Sequence, residues 1–569
     1  MLGAGCSGGS STSDTDASTT GAPRATTGGT VAVVLTSPFN SYNTSSTDGG
    51  GSWNQAVVNA VQPWVVKFDD HANLVVDHNL VTVTKTSDRP LVVEYAFNPA
   101  AVWSDGQPVG CDDVYLAWVA DNAVAQTSDG QPLFQTASTT GWDQIASVIC
   151  SPDAKTATVI YAAPFSDWKA LVAALMPAHV VAAHAGLTSA AAIRTAYEAK
   201  DTAALERIAV FWNTGFATEN GLDATVHLSA GPYRISRIDA DEGVTLVRND
   251  QYWGPPGLLD TIVLRVVTDE GAQAQALANR EVDVIDVSGT DADGVNRLRN
   301  LGGVTVDVAS SYTFEHIDFN FQVPLFRDKA VRQAIAKCIP RQDIVDKLVK
   351  PTDGDAVLLQ NRMFVPSQAG YADTSGGRYD HVDIAAARAA LESDGWRLDG
   401  DVYAKDGQRL QFKLLHKNIA PRSAIAQLIQ TSCAAAGIAV VDDADPKWSE
   451  RAGSGNFDAV DFSWTGSPQL SAQRSTYRTP PGPQDLATNF GSYSNPQVDE
   501  LMDILATETD EAKLIEAANR ADTLLWDDVA TIPLYQHPSV AAWAENVHGV
   551  RPNPTYQGIT WNVETWTAS

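Results

Sequence analysis

Short β-branched runs alternate with amphipathic helical segments from residue 30 onward, and this alternation limits the possible folds more than any other feature. Residues 30–35 (TVAVVL) and 156–161 (TATVIY) are typical of strands. In residues 329–339, apolar side chains recur every three or four positions, which predicts a helix with one buried side. No heptad, internal repeat or unbroken apolar run of membrane-spanning length occurs. The pattern therefore predicts mixed α/β layers around hydrophobic cores.

The same two patterns predict further elements along the chain. We predict additional strands at residues 89–97, 243–247, 261–267 and 282–287. We predict additional helices at residues 112–122, 166–175 and 271–279, in a segment that ends at residue 437, and at residues 498–505.

Composition and charge narrow the class of protein. A chain of 569 residues is long enough for about two to four domains, and 44% hydrophobic residues exclude disorder over most of the length. The 68 acidic and 39 basic residues give a formal charge of -29. Because phosphate recognition needs a concentrated basic face, and none occurs here, we expect no nucleic-acid partner.

Residues 1–29 differ in kind from the rest. After Cys6 they consist almost wholly of Ser, Thr, Gly, Asp and Ala, which is typical of a flexible linker. The segment GAGC that ends at Cys6 resembles the end of a bacterial lipoprotein signal, in which the cysteine becomes lipidated. It departs from that pattern because Leu2 stands one place too early and no apolar run precedes it. We interpret residues 1–29 as a lipobox remnant and linker; the alternative is a free cysteine in a tail.

Four other cysteines are present, and no two of them have C-x-x-C spacing, so a zinc ribbon or thioredoxin-type site is not supported. Outside the membrane, cysteines present in even number tend to pair, and four of them allow three connectivities. The alternative is that all four are small buried hydrophobes. The disulfide candidates are Cys111, Cys150, Cys338 and Cys433.

Catalytic motifs are absent from the sequence. There is no Walker-type phosphate loop, no H-E-x-x-H segment and no glycine-rich dinucleotide motif after a strand. His71 and His78 lie among acidic residues at positions 69, 70 and 77, where a divalent metal could bind, but we expect a solvated acidic turn. We therefore expect no enzyme activity, no cofactor and no metal site.

Seven motifs follow one another in an order that points to a family. They are WSDGQPV at 103–109, GPYR at 231–234, RNDQYWG at 248–254, DFN at 318–320 with PLF at 324–326, FD at 457–458 with Trp464, NF at 489–490 with SNP at 494–496, and IPLY at 532–535. Over roughly residues 30–569 the chain thereby resembles the family 5 extracellular solute-binding proteins, which serve peptide, nickel and haem importers.

The resemblance implies an α/β, two-lobed periplasmic-binding-protein-like fold of the cluster C type, with an extra subdomain in lobe I. Lobe I is expected to comprise residues 30–52, 224–310 and 536–569, its extra subdomain residues 53–223, and lobe II residues 311–535. The chain would cross between the lobes near residues 311–314 and 531–535. This division favours a pairing of Cys111 with Cys150 and of Cys338 with Cys433.

The resemblance also implies a function. A small solute, either a peptide or a peptide-like molecule, would bind in the cleft between the lobes, and hinge closure would follow. The protein would be a monomeric lipoprotein, held by its lipid anchor on the extracellular face of the cytoplasmic membrane. Its partners would be the permease and ATPase subunits of an ABC importer.

The resemblance assigns candidate ligand contacts, mostly in lobe II. In the family's peptide binders, an aspartate shortly after the tryptophan of this segment receives the peptide ammonium, and the matching residue here is Ser467, which has no charge. Glu450 or Asp461 could substitute for it. Arg422 would suit a peptide carboxylate; the alternative is an ordinary surface residue at a helix start. The full set is Trp464, Thr465, Gly466, Ser467, Trp448, His416 and Arg422 in lobe II, and Tyr42, Asn43 and Trp53 in lobe I.

Three interpretations of the function stay open at this point. The first is a transporter-linked receptor for a peptide or peptide-like solute. The second is the same fold with a non-peptide solute such as haem, a siderophore, a nickel chelate or an oligosaccharide, and the missing carboxylate at Ser467 favours it. The third is a cell-envelope interaction protein without a transport role.

Overall fold

The structure is a computed structural model that describes residues 28–239, 241–287, 289–482 and 486–569. Cys6 and its neighbours lie outside the described residues, so the lipidation site stays a prediction. None of the described helices is long and apolar enough to cross a membrane.

The chain forms many short strands and helices in alternation. The strands are β1 Thr30–Leu35, β2 Val66–Phe68, β3 Leu74–Val76, β4 Val81–Asp88, β5 Leu91–Phe97, β6 Ile145–Cys150, β7 Thr156–Tyr161, β8 Tyr233–Asp239, β9 Gly243–Arg248, β10 Thr261–Val266, β11 Val284–Asp286, β12 Val304–Phe319, β13 Arg397–Asp399, β14 Val402–Lys405, β15 Gln408–Arg409, β16 Gln411–His416, β17 Ala439–Ala444, β18 Ala459–Thr465, β19 Thr531–Ala544, β20 Val547–His548 and β21 Thr567–Ala568. The α-helices are α1 Ser52–Val58, α2 Cys111–Asp121, α3 Trp168–Leu171, α4 Ala178–His184, α5 Ala191–Glu198, α6 Thr202–Thr214, α7 Glu270–Ala278, α8 Ala292–Arg299, α9 Pro324–Arg327, α10 Lys329–Cys338, α11 Arg341–Ile344, α12 Ile384–Ser393, α13 Ala420–Ala435, α14 Trp448–Gly453, α15 Gln473–Tyr477, α16 Pro496–Thr507 and α17 Glu511–Asp528.

One ten-stranded sheet runs through the molecule in the order β17-β16-β18-β12-β19-β11-β1-β10-β9-β8. We call the β8 to β11 end lobe I and the β17 to β18 end lobe II. Strand β1 is parallel to β10 and β11, and β16 is parallel to β17 and β18. Parallel strands need covering layers on both faces, which explains their Val- and Leu-rich sequences.

The two long strands β12 and β19 join the lobes. They pair antiparallel from Val304 opposite Ala544 to Asp318 opposite Thr531, and their register shifts between Ser310 and Phe314. An irregularity at this place relaxes the ladder, which is what a hinge between two rigid halves needs. The first predicted crossing, at residues 311–314, falls on this irregularity; the lobe boundaries themselves stay a prediction.

A separate four-stranded antiparallel sheet, β4-β5-β7-β6, forms the centre of the subdomain. Strand β5 buries every second residue, so one face packs on the core. A disulfide between Cys111 and Cys150 joins α2 to β6, with the two Cα atoms 5.6 Å apart. A second disulfide joins α10 to α13 in lobe II, between Cys338 and Cys433, with a Cα separation of 4.9 Å. The structure thus contains the favoured pairing.

The predicted helix at residues 166–175 is mostly wrong. Only Trp168–Leu171 is helical, and Val172 is already extended. The Val65 amide donates a hydrogen bond to the Ala173 carbonyl (2.8 Å), so the chain after Leu171 pairs with a distant segment instead of continuing the helix. Tertiary pairing overrides the local pattern here.

Candidate functional site

In each lobe, the parallel strands of the large sheet end on the side that faces the other lobe. In lobe II, β18 runs antiparallel to β12 and reaches Thr465 opposite Thr313. In lobe I, β11 runs antiparallel to β19 and reaches Asp286 opposite Ala541. Both sets therefore point their carboxyl ends at the crossing between the lobes. Ligands of open α/β sheets bind outside the carboxyl ends of parallel strands, so this edge is the candidate site.

Four aromatic rings form a wall at the lobe II side of this edge. The ring of Phe462 lies 4.9 Å from Trp464, 5.7 Å from Phe490 and 5.7 Å from Trp448, measured between centroids. Phe462 is buried, whereas Trp448, Trp464 and Phe490 are partly exposed. Such aromatic contacts stabilise by about 0.5–1.5 kcal/mol each beyond area burial, so they preorganise the exposed ring surfaces. We call these four rings the aromatic wall.

The loop that leaves β18 continues from the wall. Thr465 is exposed, and the Gly466 amide donates to the Tyr312 carbonyl (3.0 Å). A Cβ at Gly466 would lie 2.7 Å from that same oxygen, so the close approach of the two backbones requires glycine. The Ser467 hydroxyl accepts a hydrogen bond from the Gln469 amide (3.1 Å) and brings no charge.

Arg422 is buried beneath the wall and is held by a carboxylate. Its Nε donates to Glu315 Oε1 (2.6 Å), and its Nη2 donates to Glu315 Oε2 (3.3 Å) and to the Ser463 hydroxyl (3.2 Å). The alternative of an ordinary surface residue is therefore wrong. Removing one partner of such a buried pair costs about 3–5 kcal/mol, because the other charge stays behind unpaired. A contact between Arg422 and a solute carboxylate stays a prediction.

Glu315 accepts a further hydrogen bond, from His537 Nε2 (2.7 Å), and is 1% exposed. Burial alone would raise the pKa of Glu315, but the hydrogen bonds from His537 and Arg422 outweigh it and lower this pKa to about 2. Glu315 is therefore ionised at neutral pH and stabilises Arg422 as its counter-ion.

The other charged candidates of lobe II are enclosed or exposed. His416 is fully buried; its Nδ1 lies 2.8 Å from the Lys417 carbonyl and its Nε2 lies 3.0 Å from Asp442. Asp461 is fully buried as well, and burial followed by the charge of Glu315 raises the pKa of its carboxyl well above the usual value. Glu450 lies on the exposed side of α14.

Two lobe I candidates, Tyr42 and Asn43, lie on the long loop that starts at the carboxyl end of β1, and Trp53 lies in the first turn of α1. Tyr42 is fully buried and its hydroxyl donates to the Leu228 carbonyl. Asn43 is 1% exposed and its side-chain amide donates to the Trp212 carbonyl (2.9 Å). Trp53 is partly exposed, and its Nε1 donates to Asn40 (2.9 Å). All three polar groups are thus engaged inside lobe I, and ligand contact by all three stays a prediction.

The subdomain and lobe II also touch directly, which the sequence did not indicate. The Ser471 amide donates to Asp167 Oδ2 (2.9 Å), the Ser166 amide donates to the Ala506 carbonyl (3.1 Å), and Lys169 pairs with Glu511 (3.0 Å). We call these three contacts the clasp. They join segments about three hundred residues apart, for example 304 residues between Asp167 and Ser471, so no local pattern could have revealed them.

A cavity lies between the subdomain and lobe II. It is next to the clasp and has a volume of about 880 Å³, with Thr139 and Phe165 on the subdomain side and Arg474, Arg478 and Ile504 on the lobe II side. Two smaller spaces of about 10 Å³ each lie inside lobe II, one next to Trp464 and one next to Ser467. Each has about the volume of one water molecule, so neither holds a solute.

One acidic group elsewhere has the composition of a metal site. Ligand atoms of Asp69, Asp70 and His71 lie within 4.8 Å of one another. Asp69 Oδ1 accepts hydrogen bonds from the backbone amides of His71 (2.9 Å) and Asn73 (2.8 Å), which is the geometry of an ordinary Asx turn. These contacts fit the expected solvated acidic turn.

Among known proteins, the family model described as "Bacterial extracellular solute-binding proteins, family 5 Middle" matches residues 75–482. The oligopeptide-binding protein OppA of Mycobacterium tuberculosis is 29% identical over 525 residues, which cover 90% of this chain and 81% of that protein. An uncharacterized lipoprotein of Mycobacterium leprae is 28% identical over 561 residues, which cover 95% and 93%.

Solved structures show the same architecture. A periplasmic EDTA-binding protein, EppA, superimposes with a TM-score of 0.80 at 25% identity, covering 96% of this chain and 97% of that chain. The oligopeptide-binding protein AppA of Bacillus subtilis, solved with a nonapeptide, has a TM-score of 0.65 at 18% identity, covering 96% and 100%. The similarity to AppA shows a shared fold only.

The two-lobed α/β fold expected from the sequence is therefore confirmed. The substrate-binding role, without enzymatic activity, is common to the matched family. Because the family model spans most of the chain, this protein belongs to the family 5 bacterial extracellular solute-binding proteins, the substrate-binding components of ABC transporters.

Proposed function

We propose that this protein captures a peptide or peptide-like solute between its lobes and delivers it to the permease and ATPase of an ABC importer. Contacts from both lobes to one solute favour the closed form, which is the state that a transporter can recognise. The names of the relatives support the peptide class, since OppA is named for oligopeptides and AppA was solved with a nonapeptide.

The aromatic wall is the observation that carries this proposal. It lies at the only sheet edge on which the parallel strands of both lobes converge within the described ranges, and three of its rings keep exposed surface. Exposed aromatic surface supplies contact area at low entropic cost, and peptide-like solutes offer apolar side chains to cover it. The guanidinium of the buried Arg422–Glu315 pair lies 5.4 Å from the ring centroid of Trp448, which is one of the four rings.

A lipid anchor and an extracellular location complete the proposal. Several relatives are named lipoproteins, and Cys6 ends a segment of small residues like those that precede a lipidated cysteine. We expect a monomer at the outer face of the cytoplasmic membrane, with lobes that hinge near residues 311–314 and 531–535. Replacing Cys6 by Ser should release the protein from the membrane fraction; continued membrane attachment would contradict the anchor.

The test of the proposal is the substitution Trp464→Ala, measured by calorimetry and tryptophan fluorescence with a library of short peptides. Loss of a buried aromatic contact should weaken binding by about 1–3 kcal/mol, which is roughly 5- to 150-fold in Kd. Trp253→Ala is the matched control, because Trp253 is also partly buried but bonds to Asn79 within lobe I. Equal affinity in the wild type and Trp464→Ala would refute the cleft assignment.

A second candidate is a non-peptide solute such as a metal chelate, and one observation favours it. Ser467 offers a hydroxyl where a free peptide ammonium would need a carboxylate. EppA is named for EDTA binding. A panel that contains metal–EDTA complexes beside peptides decides between the two, because tighter binding of a chelate than of every peptide would replace the first proposal with the second.

A further inference from the structure

The charged groups beneath the aromatic wall are paired with one another. Glu315 accepts hydrogen bonds from Arg422 and from His537, and both Arg422 and Glu315 are buried. The Nε and Nη2 groups of Arg422 are engaged by Glu315 and Ser463, so a solute carboxylate at Arg422 would compete with Glu315 for the same positive charge. Because this charge already has a buried counter-ion, Arg422 attracts a charged solute end less than an unpaired arginine would.

The two other ionisable candidates below the wall are equally closed. His416 is fully buried, and its two ring nitrogens lie within hydrogen-bond distance of the Lys417 carbonyl and of Asp442. Asp461 has no exposed surface and lies near Glu315 on the neighbouring strand, where burial and then the like charge of Glu315 raise the pKa of its carboxyl well above the usual value. Neither side chain offers a charge to the cleft.

The remaining candidate contacts carry no charge at all. The loop at residues 465–468 reads Thr-Gly-Ser-Pro, and the lobe I candidates are Tyr42, Asn43 and Trp53. Lys417 and Lys447 lie in nearby loops and Glu450 lies in α14, and all three are exposed. Water screens the charges of these exposed residues, and their long side chains are not held in place. These three residues therefore contribute little to the recognition of a charged end of a solute.

We propose that the cleft selects peptide-like solutes whose two ends are uncharged, such as acylated, amidated or cyclic peptides. This inference rests on the proposed function and specifies its substrate class. A charged ammonium or carboxylate that leaves water needs a fixed partner of opposite charge, and the wall offers aromatic surface and neutral hydrogen-bonding groups instead. A neutral end loses less hydration, so the same wall favours it.

The first experiment compares matched peptides on the wild-type protein. One tetrapeptide sequence with apolar side chains is measured by calorimetry in two forms: with free ends, and N-acetylated and C-amidated. We expect the blocked form to bind at least about 10-fold more tightly, and its Kd to change by less than about 2-fold between 0.05 and 0.5 M NaCl, because no charged contact is screened.

The second experiment introduces the missing charges. In Glu315→Gln, Arg422 loses its counter-ion, so peptides with a free carboxylate should gain about 10-fold relative to their amides. In Ser467→Asp, peptides with a free ammonium should gain relative to their acetylated forms. Ser467→Asn has nearly the same size as Ser467→Asp but no charge, and it should give no such gain. If Glu315→Gln fails to fold, the Ser467 pair and the salt titration still decide.

The outcomes separate this inference from the proposed function. Tighter binding of the blocked form, insensitive to salt, supports both. Tighter binding of the free-ended form to the wild type overturns the inference but leaves a peptide receptor. Failure of both forms across the library, together with tight binding of a non-peptide solute, overturns the proposed function and this inference with it.

Discussion

The clasp should control how readily the lobes stay closed, and Asp167 is the residue through which this can be tested. Asp167 is half-buried, and its carboxylate accepts a hydrogen bond from the Ser471 amide at the start of a short helical segment of lobe II. A hydrogen bond to a charged group contributes about 1.5–3 kcal/mol. The other side-chain contact of the clasp, Lys169 with Glu511, is 50% and 75% exposed and contributes only about 0–1 kcal/mol.

Replacing Asp167 by Ala should therefore shift the equilibrium between closed and open lobes by about 2 kcal/mol, or roughly 30-fold, toward the open form. If the closed form becomes the minor one, the apparent affinity for any solute falls by up to the same factor. Asp167→Asn keeps one neutral acceptor and should have about half the effect. Lys169→Ala is the matched control, because it removes the exposed ion pair and should change affinity by less than about 5-fold.

Small-angle X-ray scattering of the solute-free protein is the direct assay, because opening of the lobes increases the radius of gyration. Calorimetry with a solute from the peptide panel measures the change in affinity. The expected order of both effects is Asp167→Ala, then Asp167→Asn, then Lys169→Ala. A wild-type scattering profile and unchanged affinity in Asp167→Ala would refute the reasoning, since the hydrogen bond of Asp167 would then contribute nothing to the free energy of closure.

Two further predictions concern stability. Burial raises the pKa of Asp461 in the folded state, so the stabilising contribution of this residue is complete below the unfolded pKa of about 4 and is lost as the pH rises. Asp461→Asn should therefore have a higher free energy of unfolding than the wild type at pH 7.5 but not at pH 4. An equal difference at both pH values would contradict this prediction. Removing the disulfide Cys338–Cys433 should lower the free energy of unfolding by about 4.7 kcal/mol, and removing Cys111–Cys150 should lower it by about 4 kcal/mol. The difference arises because the two disulfides close loops of 95 and 39 residues. If denaturant titrations gave the reverse order, the entropy of the unfolded chain would not be the dominant cause.

Local patterns in the sequence predicted several elements to within a residue. Strands β1 and β7 coincide with the predicted residues 30–35 and 156–161, because a β-branched run bounded by turn residues favours extended backbone wherever it packs. Helix α10, predicted at residues 329–339, ends at Cys338 because the apolar stripe stops before Pro340. These predictions needed only the residues themselves.

Contacts between distant segments could not be predicted in this way. The sequence marked Arg422 as a candidate cation, but nothing near it indicates Glu315, which lies 107 residues earlier on a crossing strand. Phe490 belonged to a family motif, yet its place in the aromatic wall follows from packing against Phe462 and Trp464. The charge state and the exposure of a residue depend on such partners. The sequence could therefore predict which residues lie near the cleft, but not which charges or exposed surfaces they present to a solute.

The wall and the clasp are separate in space and in chemistry, and this separation has a consequence for binding. The wall lies at the ends of the lobe II strands and consists of rings above a neutralised ion pair, so it discriminates between solutes. The clasp joins the subdomain to lobe II through Asp167 and Ser471 and touches none of those rings among the described residues. Changes at sites without shared partners add, so combining Trp464→Ala with Asp167→Ala should weaken binding by the sum of the two free energies. A coupling well above about 0.5 kcal/mol would mean that closure and recognition share residues, and the division between the two surfaces would then fail.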